Sequence, residues 1–192
     1  MFIPDDEPIV LVDDCPPFQL PKDNVIRWDR TTGDLRPQLD RVVIDDCQGR
    51  DVVETARDVT NNRLAWMAAV ESGNVAGVPD WIDALARNAD PACQVEPLRQ
   101  RLWSRIHAII QVDRLRGGVR KVTSVTEILG VDGRKVRMQE IFCYRTTGIN
   151  ERGIACGHFE VTGVRPAVMD RIEAAGFRLP QGLFIKRVIG ED

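Results

Sequence analysis

"LDRVVIDDCQGRDVVETARDV", residues 39–59, reads as a strand, two carboxylates, a glycine turn and a helix. The run "DRVVID" (40–45) is apolar without alternation, the pattern of a strand covered on both faces. Val52, Val53, Ala56 and Val59 then fall on one helical face. Asp45 and Asp46 sit where the strand gives way to the turn. Two carboxylates at that place suit a bound Mg²⁺ only if a neighbouring loop holds phosphate.

No such loop is found in the 192 residues. A phosphate loop of the G-x-x-x-x-G-K-[ST] type needs a Gly-Lys dipeptide, because backbone N–H groups cradle the phosphates while the lysine neutralises them. The sequence contains no Gly-Lys and no GxGxxG. The glycine-rich "GINERGIACG" (148–157) lacks the lysine and follows a hairpin. There is no GxSxG elbow. Asp13-Asp14 and Asp45-Asp46 also suit a plainer role as caps of the turns that follow two strands. Cysteines stand at 15, 47, 93, 143 and 156, with no CxxC, and His107 and His158 are the only imidazoles. The expectation is reduced structural thiols, no metal site and no cofactor.

Hydrophobic residues make up 43% of the chain and charged residues 29%, as in an ordinary globular protein. No apolar run approaches the roughly 20 residues of a membrane span. The amino terminus, "MFIPDDEPIV", is acidic and lacks the basic region of a secretory signal, so the expected location is cytoplasmic. The net charge of −3 is unevenly spread: residues 1–60 hold 14 acids and 7 bases, residues 61–192 hold 15 acids and 19 bases. Arg99, Arg101, Arg105, Arg114, Arg116, Arg120 and Lys121 cluster in 99–121 against Asp113 alone. That segment is the candidate interaction surface. Its single aromatic, Trp103, gives little for nucleic acid to stack on, and no nucleic-acid partner is expected.

Around the opening stretch, "PIVLVD" (8–13) and "NVIRW" (24–28) read as short strands. "VPDWIDALARN" predicts a helix with Trp81, Ile82 and Leu85 on one side, and "EPLRQRLWSR" another with Pro97 at its first position. From residue 106 the period changes to two. "IHAIIQV", "KVTSVTEIL", "KVRMQEIFCY" and "ACGHFEV" read as antiparallel strands joined by "RLRGGVR" and an Asp132-Gly133 turn. "RPAVMDRIEAAG" predicts a helix opened by Pro166, with Val168, Met169, Ile172 and Ala175 on one face and Gly176 at its end. The fold class is α/β in front and antiparallel β behind, expected as one continuous sheet in one domain over 1–192. Its two parts are 1–97 and 98–192.

The order of these segments resembles a known family. "VDRLRGGVRKVTSVTEILGVDGRKVRMQEIF" (112–142) is similar to the "Q-L-S-R-L-x-D-G-x-R-x-V-T-S-I-T-E-V" stretch of the CpaF/TadA-type secretion ATPases of the type II/IV secretion and Flp/Tad pilus motor superfamily. "GHFEVTGVRPAVMDRIEAAGFRLP" (157–180) is similar to their "G-x-F-x-x-T-G-x-x-P" and the helix after it. More faintly, "PIVLVDDCPPFQL" resembles the family's acidic box and "LDRVVIDDCQGRDVV" its second acidic strand. The resemblance implies a truncated RecA-like sheet with helices, then antiparallel strands and a terminal helix. It also implies that the chain begins just past the phosphate loop and runs to the family's carboxyl terminus.

Departures from the family pattern fall on its chemistry. Asp13 and Asp14 stand at the first acidic pair, but Pro17 takes the place of the catalytic glutamate. Asp46 stands at the second glutamate, and Gln48 replaces the arginine after it. "TNNRLAWMAAVES" aligns with the histidine box, with Arg63 and Glu71 for its two histidines. Phosphoryl transfer rests on positioning and charge stabilisation by such groups acting as a unit. The resemblance therefore implies a degenerate nucleotide site without catalytic residues, and a pseudo-ATPase that works by association. Its partner would be a second copy, a full-length secretion or pilus ATPase or another component of that machine, and its place the cytoplasm, peripheral to an inner-membrane secretion complex. Two rival expectations stand beside it: a nucleotide site completed in trans by a partner's phosphate loop, and a binder of anionic surfaces or nucleic acid through 99–121.

Overall fold

The computed structural model describes residues 7–12, 23–28, 41–45, 65–89, 91–92 and 94–191. The chain divides into two compact units, Met1–Leu102 and Trp103–Asp192, where the sequence suggests a single domain with its parts meeting at 97/98.

The first unit holds a parallel sheet of β1 (Ile9–Val12), β2 (Val25–Trp28), β3 (Arg41–Ile44) and β4 (Ala65–Ala68), in the order β2-β1-β3-β4. β1 is central, and its four residues are all removed from water. A parallel strand covered on both faces has no polar side to show, so "IVLV" reads as an unbroken run. In β3, Val42 and Ile44 are buried while Arg41 and Val43 are half-buried. The outer strands expose one apolar residue each, Ile26 and Met67.

After β4, Asn74 accepts a hydrogen bond from the Gly77 N–H at 2.8 Å and starts a 3₁₀ turn over Val75–Gly77. The turn leads into α1 (Val78–Ala89). Val78, Ile82 and Ala86 are buried at helical spacing, while Trp81 and Leu85 are half-buried. α2 (Val95–Trp103) follows. Pro97 is its third residue rather than its first, still within the turn whose N–H groups have no helical acceptor. The helix expected through Val52, Val53, Ala56 and Val59 lies outside the described residues.

The second unit is an antiparallel meander of β5 (Ala108–Arg114), β6 (Arg120–Asp132), β7 (Lys135–Ile149), β8 (Ala155–Val161) and β9 (Arg187–Glu191), in sequence order. Its strands pair with one another and not with the parallel sheet among the described residues, so one continuous sheet is not observed. The β6–β7 loop is Gly133-Arg134, with Gly133 at φ 58°, the left-handed conformation that a two-residue hairpin needs at its first position. At Gly157 on β8 a Cβ would overlap the Arg145 carbonyl oxygen and press on the Tyr144 ring at 2.8 Å. Glycine is required there by space.

Two expectations at the carboxyl end are corrected. The helix is α3 (Met169–Ala174), starting three residues after Pro166. It is not terminal, because β9 follows and pairs with β8. Gly176 does end it, with its N–H on the Glu173 carbonyl at 2.9 Å.

Candidate functional site

The two edges of the parallel sheet differ in chemistry. At the amino edge Glu7 accepts from Arg41 Nε at 2.7 Å, and its carbonyl accepts from Asn24 Nδ2 at 2.5 Å. These contacts tie the entries of β1, β2 and β3 together with matched charge. At the carboxyl edge the ladder runs on by one residue: the Asp45 N–H donates to Val12 O at 3.0 Å and the Ala69 N–H to Ile44 O at 2.9 Å. β1, β3 and β4 lie side by side and parallel, so the chain leaves all three at this edge. From β1 it goes outward to β2, then returns to the other flank for β3 and β4. The order reverses between β1 and β3, and open parallel sheets bind ligands outside the carboxyl ends of strands at such a point.

The sequence puts acids at this edge. Asp45 is half-buried against the end of β1, and Glu71 is exposed three residues past β4. Asp13, Asp14, Pro17, Asp46, Gln48 and Arg63 lie outside the described residues. Carboxylates accept hydrogen bonds and donate none when ionised. An ionised carboxylate repels phosphate unless a cation or donor groups come between. Among the described residues no group of three or more His, Cys, Asp or Glu is placed to hold a metal ion.

The bases of segment 99–121 differ in exposure. Arg99 is only 7% exposed. Its Nε donates to Asp83 at 3.2 Å and its Nη2 contacts the second Asp83 oxygen. Asp80 lies 3.8 Å away. The hydrogen bond to Asp83 holds the guanidinium above its ordinary pKa, against the desolvation that opposes it. Asp83 is itself buried on the apolar side of α1, and a buried carboxylate needs such a partner. Arg99 is therefore an internal tie of the first unit, which corrects its place in the proposed surface. Arg101 is exposed in the same unit, whereas Arg105, Arg114, Arg116 and Arg120 are exposed in the second. Arg114 and Arg120 face each other across β5 and β6. Lys121 is half-buried, with Nζ 4.6 Å from the Tyr144 ring centre and 5.7 Å from that of Phe159.

Sequence reasoning passed over Glu127, which is 4% exposed on β6. A register shift after Val125 lets Thr126, Glu127 and Ile128 all be buried in succession. Its two oxygens accept from the Ala167 and Val168 N–H groups, each at 2.9 Å, and from Gln139 Nε2 at 2.6 Å. The signal was a charged residue in the strand "VTEIL" where an apolar one would be ordinary. Both imidazoles are engaged: His107 with Arg171 at 2.8 Å and His158 with Glu160 at 2.9 Å. The His158 contact leads the effects that lower the Glu160 pKa. Cys143 is 2% exposed, and burial pushes its thiol up to about 11, with the Glu140 and Glu160 carboxylates adding to the effect. Such a thiol is not a nucleophile near neutral pH.

No family model matches the chain, and no curated protein matches it. Among solved structures, the chain is similar in fold to the VirB11 ATPase from the Brucella suis type IV secretion system, solved in complex with sulphate. The TM-score is 0.55 at 15% identity, over 64% of this chain and 40% of that one. The likeness is one of fold, and the match spans well under half of the VirB11 chain. Among the described residues no helix is long and apolar enough to cross a membrane.

Proposed function

We propose that this chain is a secretion-ATPase-like protein that does not hydrolyse nucleotide and acts by association within a type II/IV secretion or pilus machine. The observation that carries the reading is the carboxyl edge of the parallel sheet. There Asp45, just past β3, and Glu71, three residues past β4, are acids, which suit a nucleotide only where a cation and a phosphate-holding loop accompany them, and the sequence contains no such loop. The resemblance adds Pro17, Gln48 and Arg63 at reactive positions, and Glu71 itself in place of a histidine. These substitutions lie within the sequence and do not depend on where it begins. The likeness in fold to a type IV secretion ATPase supports the superfamily; the CpaF/TadA branch rests on the sequence resemblance. The partners are a second copy or a complete secretion ATPase.

The expected result of a Mg-ATPase assay on the purified chain is no turnover above buffer, alone or with a candidate partner ATPase made inactive. Turnover that disappears in Asp46→Ala would overturn the proposal in favour of a site completed in trans.

A further inference from the structure

Among the described residues the antiparallel sheet has two outer strands, β5 and β9. β9 is short, and Gly190, at φ 65°, stands unpaired between Ile189 and Glu191 in its ladder with β8. A bulge and charged ends blunt a sheet edge. β5 has no such interruption: all seven of its residues pair with β6, and the extra residue at the register shift is Thr123, on β6.

His107 O accepts from the Ile128 N–H at 2.9 Å, and the Leu115 N–H donates to Val119 O at 2.8 Å. The odd-numbered residues of this stretch thus direct their backbone groups inward to β6. Ala108, Ile110, Val112 and Arg114 turn theirs outward to the open edge, and their side chains share one face. Ile110 is 63% exposed, Val112 57%, and Val122, opposite Val112, 42%. An uninterrupted edge beside an exposed apolar row is a template for another strand.

We propose that β5 pairs antiparallel with β5 of a second copy of this chain, about a two-fold axis at Gln111. The row is complementary to itself in this register. Ile110 meets Val112 of the second copy and Val112 meets its Ile110. Arg114 falls opposite Ala108, and Asp113 opposite Ile109. The residues brought together as hydrogen-bonded pairs are the four whose backbone groups point outward. No like charges face each other, and apolar cross-strand pairs stabilise such a ladder. This register joins the whole strand; moving the axis to Val112 sets Arg114 against Ile110. A two-fold contact is also closed, so the edge is used up by one partner. The inference names the partner in the association reading and rests on it, but it is tested without nucleotide.

The experiment is sedimentation velocity of the full chain from about 5 to 200 µM, where mass action reports self-association. A concentration-dependent dimer is expected. Val112→Pro deletes an N–H that no described strand of its own chain uses, so the fold tolerates it; Ile110→Lys places a charge in the exposed row. Each should weaken the dimer at least tenfold, with circular dichroism and melting temperature showing the fold retained. Gln111→Cys, on the axis, should give a disulfide-linked dimer on mild oxidation, and Arg116→Cys should not. A dimer left intact by both Val112→Pro and Ile110→Lys overturns the β5 contact and leaves self-association through another face. A chain monomeric throughout, yet bound by a secretion ATPase, overturns self-pairing while the association reading stands.

Discussion

The parallel sheet is made of strands of four residues each, whereas β6 and β7 of the antiparallel sheet run to 13 and 15. Short parallel strands make few ladder bonds, and the chain must travel far between them. Their cohesion comes from burial: each of Ile9, Val10, Leu11 and Val12 contributes about 1.5–3 kcal/mol when taken wholly out of water. It comes also from the side-chain tie Glu7–Arg41 at the strand entries, while Asp83–Arg99 joins the two helices of the same unit. The meander is held mainly by its ladders and by local turns, so its faces can stay partly wet. One sheet therefore depends on what it buries, and the other on how closely its backbones approach. Single changes should separate the two.

The largest effect is expected at Gly157→Ala. The added methyl meets the Arg145 carbonyl and the Tyr144 ring, so β7 and β8 must part, at a cost of roughly 4 kcal/mol or more. Chemical denaturation would measure it, and hydrogen exchange should show β7–β8 amides losing protection while those of β1 and β3 keep theirs. Equal loss in both sheets would break the distinction between them. Next is Asp83→Ala, which leaves Arg99 charged and buried without its main partner. About 3 kcal/mol is expected, with the exchange pattern reversed. The double change Asp83→Leu/Arg99→Met should recover much of the loss, since an apolar pair needs no compensation. A double variant as unstable as the single one would contradict this account of the ion pair.

The smallest effect is a pH dependence. The Cys143 thiol has a folded pKa of about 11 against an ordinary value of 9.0. Between these values the unfolded chain releases the proton and the folded chain keeps it, so stability falls as pH rises. The contribution is fully present below about pH 9 and is lost through pH 11. The wild type should therefore lose more melting temperature over that window than Cys143→Ala. Parallel slopes would show that the thiol is not the group responsible.

The strands that were legible are those whose pattern has a single physical cause. "IVLV" and "RVVI" are apolar because both faces are covered, and β5 to β8 alternate or carry turn glycines between them. β4, "AWMA", carries no strand signal of its own because alanine has little strand preference, and no element is expected there from the sequence. β9, "RVIGE", was missed because a bulged, exposed edge strand has no buried face to write into its sequence. At the sites, charge alone misled. Arg99 belongs to a basic run, yet its partner lies sixteen residues earlier on α1, and no spacing within the run points there. The carboxyl-edge positions were legible through the family resemblance, while the strand order that reverses between β1 and β3 is a property of topology.

Glu127 has a consequence for the long excursion from Thr162 to Lys186, which carries α3 and returns the chain to β9. By accepting from the Ala167 and Val168 N–H groups, it fastens that excursion to β6 near its start. The chain then closes one short loop up to the clamp and a second from α3 to β9. Because the Arg165 side chain also binds Asp170 and Glu173 across the start of α3, the clamp presents a turn already braced. Closure entropy rises only slowly with loop length, so the gain is small in free energy. What changes is the excursion's freedom: with Ala167 and Val168 held to β6, β9 is tethered to its sheet at a point before α3 as well as through its own ladder with β8.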